Sequence, residues 1–405
     1  MMEKGALNGL VVADFTAFAA GPLSTKFLAD HGAEVIKIES NARPDVVRAF
    51  MPFAAGTPGA NRSISFAEGN TSKYSFSLNL SHPQGSDVAR RLISCCDAVV
   101  ENFNPGVMEK LGLAYSDLVK AKPDIIMVSM SGLGQTGPHS RHRNIGLTTQ
   151  ALAGINHFIG WPDRAPVGYS IPYPDAIIPW FALLALMAAV DYRERTGKGQ
   201  HIDATMLETA LHFMAPVLLD YTVNRREGTR VGNRSPCAAP HGVYRCQGDD
   251  RWCAIEVFDD DWPGFCKAMG NPEWTGNPRF STLEVRKENE EELDGFVEEW
   301  TVKRSAEAVM DLMQRAGVGA GIVQNSEDIA DKDAHFIQRQ FYQVVSGHPE
   351  IGSYESPSAS FKLSKTPSKP KAAPCLGEHT EYVCTEIMGM SDREFAELLA
   401  TGVLQ

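Results

Sequence analysis

The sequence has no CxxC pair among its eight cysteines, which stand at 95, 96, 237, 246, 253, 266, 375 and 384. That scatter provides neither a zinc ribbon nor a disulfide framework, so no metal site is expected and a reducing compartment is. Long basic runs are missing too: 50 Asp and Glu outnumber 38 Lys and Arg, for a formal net charge of −12. A phosphate-tracking nucleic-acid surface is thereby excluded, and any anionic ligand must find a local basic pocket. The stretch MMEKGALNGLVVADF lacks an apolar core followed by a small-residue cleavage site, so it does not read as a signal peptide and a cytoplasmic protein is expected. The longest apolar run, Ala176–Val190, is bounded by Asp175 and Asp191, contains Pro179, and is shorter than the roughly 20 residues that span a bilayer. It predicts a buried helix rather than a membrane segment.

At 405 residues and 43% hydrophobic, the chain is long enough for two or three domains. Its first two hundred residues alternate β-branched runs with helical stretches, as βα units around a parallel sheet do. Strands are predicted at Leu10–Asp14, Glu34–Glu39, Phe76–Leu80, Ala98–Glu101, Ile125–Met130 and in HIDAT (201–205), with helices from Gly21, over Pro83–Ser94, and over Met206–Asn224. Composition then shifts: short strands at Val243–Cys246 and Trp252–Val257 and an acidic helix at Glu288–Trp300 describe a smaller α+β domain. The predicted divisions are 1–224, 225–325 and 326–405. Ser356–Pro374 holds four prolines and alone reads as an exposed linker; Glu378–Leu399 regains helical spacing.

Individual motifs leave the chemistry open. The DFTAFAAGP turn (Asp14–Pro22) follows a strand but carries neither dinucleotide nor Walker glycine spacing. His31, His82, His139, His142 and His241 are too scattered to pair as metal ligands. Ser129 and Ser131 in VSMSGLG follow a strand without the GxSxG elbow of a hydrolase nucleophile. Asp175, in YPD before the apolar helix, fits two roles: an ordinary cap, or a carboxylate nucleophile held at a helix N-terminus beside a cleft.

Seven segments together resemble the family III CoA-transferases: LNGLVVADFTAFAAGP, FLADHGAEVIKIE, LNLSHPQG, VVENFNPGVMEKLGL, MVSMSGLGQTGP, YPDAIIPWFALLALMAAVDYRERTGKGQHIDATM and APCLGEHTEYV. The resemblance implies an α/β fold in which a Rossmann-like large domain takes back the C-terminal segment, beside a smaller α+β domain. It also implies an interlocked dimer, of identical chains or of two related ones, with Ser356–Pro374 as a strap over the partner. No permanently bound cofactor is implied; coenzyme A and acyl-CoA are substrates. The family's nucleophile falls on Asp175, which would form an aspartyl–acyl anhydride and then an aspartyl-CoA thioester. The residues expected to hold CoA are Lys37, Arg43, Lys73, Asn102, Phe103, Met108, Lys110, Arg143 and Met206, with Phe103 and Met108 flanking the adenine.

The sequence departs from the family's oxalate-specific members at Ala19 and Gly146, where small residues replace polar ones, and has no glycine run at 225–260. A wider acyl pocket is therefore expected. Succinyl-CoA as donor and a substituted dicarboxylate such as benzylsuccinate as acceptor suit that pocket and the aromatic segment HFIGW (157–161), with Arg48, Arg62, Arg141 and Arg234 as candidate cations for a second carboxylate. Two alternatives share the fold. One is an α-methylacyl-CoA racemase, against which Ile145 stands where the proton-transferring His belongs. The other is a silent partner subunit, against which Asp175 is retained.

Overall fold

The computed structural model describes residues 5–405. The chain divides into two compact units, one comprising residues up to 156, 168–227 and 338–405, the other 157–167 and 228–337. In the larger unit, β1 (Val11–Asp14), β2 (Glu34–Glu39), β3 (Tyr74–Ser77), β4 (Ala98–Glu101), β5 (Ile126–Ser131) and β6 (His201–Thr205) form one parallel sheet in the order 3-2-1-4-5-6. That is the doubly wound order, and its direction reverses between β1 and β4, where open α/β sheets bind ligands.

The strands are apolar on both faces because helices cover both. Alternate residues divide between two cores: Ala13, Ile36, Ile38, Val99 and Met127 face the Gly85–Ser94 and Tyr115–Ala121 helices, while Val12, Val35, Val100, Val128 and Met130 face Ala20–Asp30 and Tyr173–Thr196. Val383, Cys384, Met388 and Leu404 complete the first core, so the C-terminal segment is part of the large unit. It lies beside β3, with His379 N–H donating to Ser75 O and Asn79 N–H to Val403 O.

The apolar helix is longer than expected, Tyr173–Thr196, and less buried. Ile178, Ala182, Leu186 and Ala189, spaced at three and four, enter the core, whereas Leu184 is 71% exposed and Trp180 and Phe181 are also open. The expectation of a buried helix holds on one face only, because this helix is apolar all round and the sheet covers one side. The predicted helix over Met206–Asn224 breaks at Met214 into Met206–Phe213 and Ala215–Asn224, with Pro216 opening the second piece. Glu378–Leu399 is likewise interrupted, its last helix being Asp392–Ala400.

The smaller unit holds β7 (His241–Arg245), β8 (Trp252–Glu256) and β9 (Gly319–Ile322) in an antiparallel sheet, packed by Phe265, Phe280, Leu293, Val297, Val309 and Met313. It takes in His157–Val167, which the composition shift at 225 gave no reason to separate from its neighbours. The hairpin of β10 (Tyr342–His348) and β11 (Gly352–Pro357) belongs to the larger unit. So does the proline-rich segment after it: Phe361 stacks on His31, and Ser72 N–H donates to Lys371 O.

Candidate active site

The loop that leaves β1 is built around buried charge. Asp14 accepts hydrogen bonds from Thr16 N–H, the Thr16 and Thr25 hydroxyls and Lys73 Nζ at 3.0 Å. Lys37 Nζ donates to Thr16 O and to Asp45 Oδ2, and Asp45 Oδ1 accepts the N–H of Phe18. Phe18 has φ +74°, a left-handed conformation that a side chain opposes, and that hydrogen bond helps hold it there. From β4, Asn102 clamps the same loop twice, accepting from Ala17 N–H and donating to Ala17 O, both at 2.8 Å. Burial disfavours the charge on Asp14, yet Lys73, Lys37 and the two hydroxyls hold its carboxyl below the usual range.

This loop forms one wall of a cavity of about 170 Å³ at the sheet's reversal point. Phe18, Ala19 and Ala20 come from β1 and the following helix, Asn102, Phe103 and Asn104 from beyond β4, and Met130, Ser131 and Gly132 from the end of β5. Asn144, Ile145, Gly146, Asp175 and Met206 close it. Thus Asp175, Ala19 and Gly146, singled out separately along the sequence, meet in one place.

Asp175 lies in the first turn of Tyr173–Thr196, a 24-residue helix whose positive end favours an anion. It is 9% exposed, and its Oδ2 has no hydrogen-bond partner among the described residues. Burial therefore pushes its pKa up from 3.8 to about 6. The helix Gly146–Leu152 holds this carboxylate from the side. A Cβ on Gly146 would lie 1.6 Å from Asp175 Oδ2, so only glycine fits. One turn on, fully buried Gln150 accepts the N–H of Tyr173 at 3.1 Å and donates to Asn156 at 2.7 Å, satisfying the first N–H of the helix that carries Asp175.

Of the residues expected to hold CoA, Asn102, Phe103 and Met206 line the Asp175 cavity. Arg43 and Arg143 are exposed on the loops after β2 and β5, and Lys110 is exposed at the end of the one-turn helix Val107–Lys110 that follows β4. Lys37 and Lys73 are not presented to ligand: both are inside the protein, committed to Asp45 and Asp14, and their role is to shape the loop. Met108 is buried in the core beneath β4 rather than open to an adenine. Arg48 is withdrawn as an acceptor cation, since it binds Glu39 through two nitrogens and stacks on Phe66. Arg62 donates to the carbonyls of Ala54, Thr57 and Glu350, and Arg234 pairs with Glu290 in the smaller unit. Arg141 is exposed. The His157–Trp161 aromatics belong to the smaller unit and do not line the cavity.

Residues 7–380 match CoA-transferase family III. The chain belongs to that family. It is 32% identical over 401 residues to the succinyl-CoA–D-citramalate CoA-transferase of Chloroflexus aurantiacus, covering 98% of each chain. It is 30% identical over 406 residues to the succinyl-CoA:glutarate CoA-transferase of Mus musculus, covering 98% of this chain and 90% of that one. Among solved structures, a CAIB/BAIF family protein from Brucella suis superposes with a TM-score of 0.86 at 27% identity, covering 95% of this chain and all of that one. This family III CoA-transferase is therefore an enzyme whose substrates are CoA thioesters.

Sequence reasoning missed Gln150 and the cavity side of Asn144. Asn144 opens the stretch Asn144–Leu147 that was weighed only for its missing His, and Gln150 belongs to no motif; the available signal for Gln150 was the one long polar side chain in GLTTQALAG.

Proposed function

We propose that this enzyme transfers CoA from succinyl-CoA to a small dicarboxylic acid, with Asp175 as the nucleophile. The observation that carries the reading is the unpartnered, desolvated carboxylate oxygen of Asp175 at a helix N-terminus in the switch-point cavity. With no donor on Oδ2, that oxygen keeps its lone pairs for attack, and a pKa near 6 leaves the carboxylate mostly ionised at neutral pH.

Attack on the succinyl thioester carbon expels CoA thiolate and leaves a mixed aspartyl–succinyl anhydride. The thiolate returns to the aspartyl carbonyl, releasing succinate and forming the aspartyl-CoA thioester. The acceptor carboxylate then displaces CoA, and CoA opens the second anhydride at the acceptor carbonyl, regenerating Asp175. Each exchange trades one activated acyl bond for another, so no cofactor is required, but water must be kept out. The cavity walls of Phe18, Ala20, Phe103, Met130, Ile145 and Met206 are suited to that. Arg43, Lys110 and Arg143 are the cations left free to meet the CoA phosphates at the sheet's carboxyl edge.

The acceptor follows the two relatives named for citramalate and glutarate rather than an arylsuccinate, because the aromatic segment that favoured the latter does not line the cavity. A racemase is disfavoured by Ile145, which lines the cavity and cannot carry a proton. The open apolar residues Trp180, Phe181, Leu184, Phe213, Leu218 and Leu219 support a subunit partner, and we assign them to the interface of an interlocked dimer.

The test is to incubate the enzyme with succinyl-CoA, trap with hydroxylamine, and map adducts by mass spectrometry. A hydroxamate at Asp175, absent from Asp175→Ala together with at least a ~10³-fold loss of CoA exchange, is expected. An unmodified wild type that exchanges an α-proton in deuterated water would overturn the proposal.

A further inference from the structure

The buried carboxylates Asp14, Asp30, Glu39, Asp45, Glu290 and Asp328 each pair with a lysine or arginine. Asp175 and Glu101 pair with neither among the described residues. Glu101 ends β4 and is 2% exposed; Glu109 and Asp203, the charges that act on it, share its sign, and burial above all pushes its pKa up to about 7. Such a group is a cost to the fold that an uncharged side chain would avoid. What Glu101 does hold is the turn after β4: its Oε2 accepts the N–H of Phe103 at 2.7 Å. Asn102, Phe103 and Asn104 of that turn line the Asp175 cavity. A second cavity of about 30 Å³, room for a water molecule, is lined by Glu101, Asn104, Ser129, Gln135 and His201, so the two cavities meet at Asn104. They occupy opposite faces of the sheet's end, since β5 presents Met130 to the first and Met127 and Ser129 to the second. The second is the polar one: Gln135 Nε2 is buried there without a partner among the described residues, a donor that water would satisfy.

We infer that Glu101 is a positioning residue: by holding the N–H of Phe103 it keeps the Asn102–Asn104 turn closed between the two cavities, and so keeps water from the acyl intermediates on Asp175. This rests on Asp175 being the nucleophile. If water entered, its oxygen would bond to a carbonyl carbon of the aspartyl–succinyl anhydride, and the bond to the departing carboxylate oxygen would break. One proton of that water would pass to CoA thiolate and the other to solvent, so that succinyl-CoA is spent as succinate and free CoA. The contact itself does not require a charge on Glu101, because a protonated carboxyl still has an oxygen that accepts. An amide in its place would therefore keep the turn closed, and a side chain without an acceptor would not.

The experiment compares two rates in each protein: hydrolysis, read as free thiol released from succinyl-CoA with no added acid, and transfer, read as label passing from free succinate into succinyl-CoA. Glu101→Met, of similar length but unable to accept, is expected to raise the ratio of hydrolysis to transfer about tenfold. Glu101→Gln, whose amide oxygen accepts, should stay within about threefold of wild type. Unfolded chain does neither reaction, so a loss of stability alone leaves the ratio where it was. Glu101→Ala is the second variant, should the methionine not fold. A ratio within about threefold of wild type in whichever of these two folds overturns the assignment and leaves the transferase reading standing. So does failure of both to fold, which would make Glu101 a structural residue, and so does a Glu101→Gln ratio as high as that of Glu101→Met. Absence of label transfer in wild type overturns the transferase reading and this inference together.

Discussion

Asp14 and Asp175 are both buried carboxylates of the large unit, and the protein treats them in opposite ways. Asp14 receives four hydrogen bonds, one from a lysine, and is held ionised against its burial. Asp175 leaves one oxygen without a donor, and its pKa rises to about 6. Burial is common to both, so burial alone does not mark the proposed nucleophile. The difference is the supply of donors: a saturated carboxylate fixes a loop, and a starved one has an oxygen to offer a thioester in the role proposed for Asp175.

The sharpest test of the contrast is to starve the saturated partner. Lys73→Met leaves Asp14 charged and fully enclosed without its closest cation, and breaking a buried pair from one side costs about 3–5 kcal/mol. Urea unfolding at pH 7 should show a loss of that size. A loss under about 1 kcal/mol would mean that the hydroxyls of Thr16 and Thr25 suffice, and the comparison would collapse.

The second test uses the sign of the Asp175 shift. Between pH 4 and 6 the folded protein keeps a proton on Asp175 that the unfolded chain has released. Unfolding free energy therefore falls as pH rises through that window and stays lowered above it. Asp175→Asn should be more stable than wild type at pH 8, by up to roughly 3 kcal/mol for a shift of this size, with no such gain at pH 3.5. In wild type, the proposed role of Asp175 makes kcat/KM rise with pH to a plateau above about 6, as its ionised form accumulates. Equal stability of the two proteins at pH 8 would show that Asp175 finds donors in solution.

Much of this contrast was legible along the chain, for identifiable reasons. Strands such as Glu34–Glu39 and Ala98–Glu101 are apolar runs ended by polar turns, and their bounds follow from composition. Asp175 and the small residues at 19 and 146 emerged through motif resemblance, and the fold then brought them together. The lysines misled, because Lys37 and Lys73 sit near strand ends where a phosphate could bind. Which way a lysine points depends on whether Asp14 and Asp45 lie opposite it, a long-range fact absent from local pattern. The His157–Val167 excursion was hidden for the same reason: its composition matches its neighbours, and its contacts are with residues some seventy positions away, as between His157 O and Arg230.

Gln150 extends the comparison from the carboxylates to their supports. Asp14 is fixed by bonds to both of its oxygens, whereas Asp175 Oδ2 has no donor and its turn is held through the backbone, where Gln150 receives the N–H of Tyr173 two residues upstream. Gln150→Ala leaves that half-buried N–H without its acceptor, a loss of about 1–3 kcal/mol at most, and loosens the turn that would aim the proposed nucleophile. Because the carboxylate itself is untouched, the rise of kcat/KM with pH should keep its midpoint near 6 while the plateau falls about tenfold. A midpoint moved by a full unit would show instead that Gln150 acts on the charge of Asp175, and that its oxygens are not as isolated as the contrast with Asp14 requires.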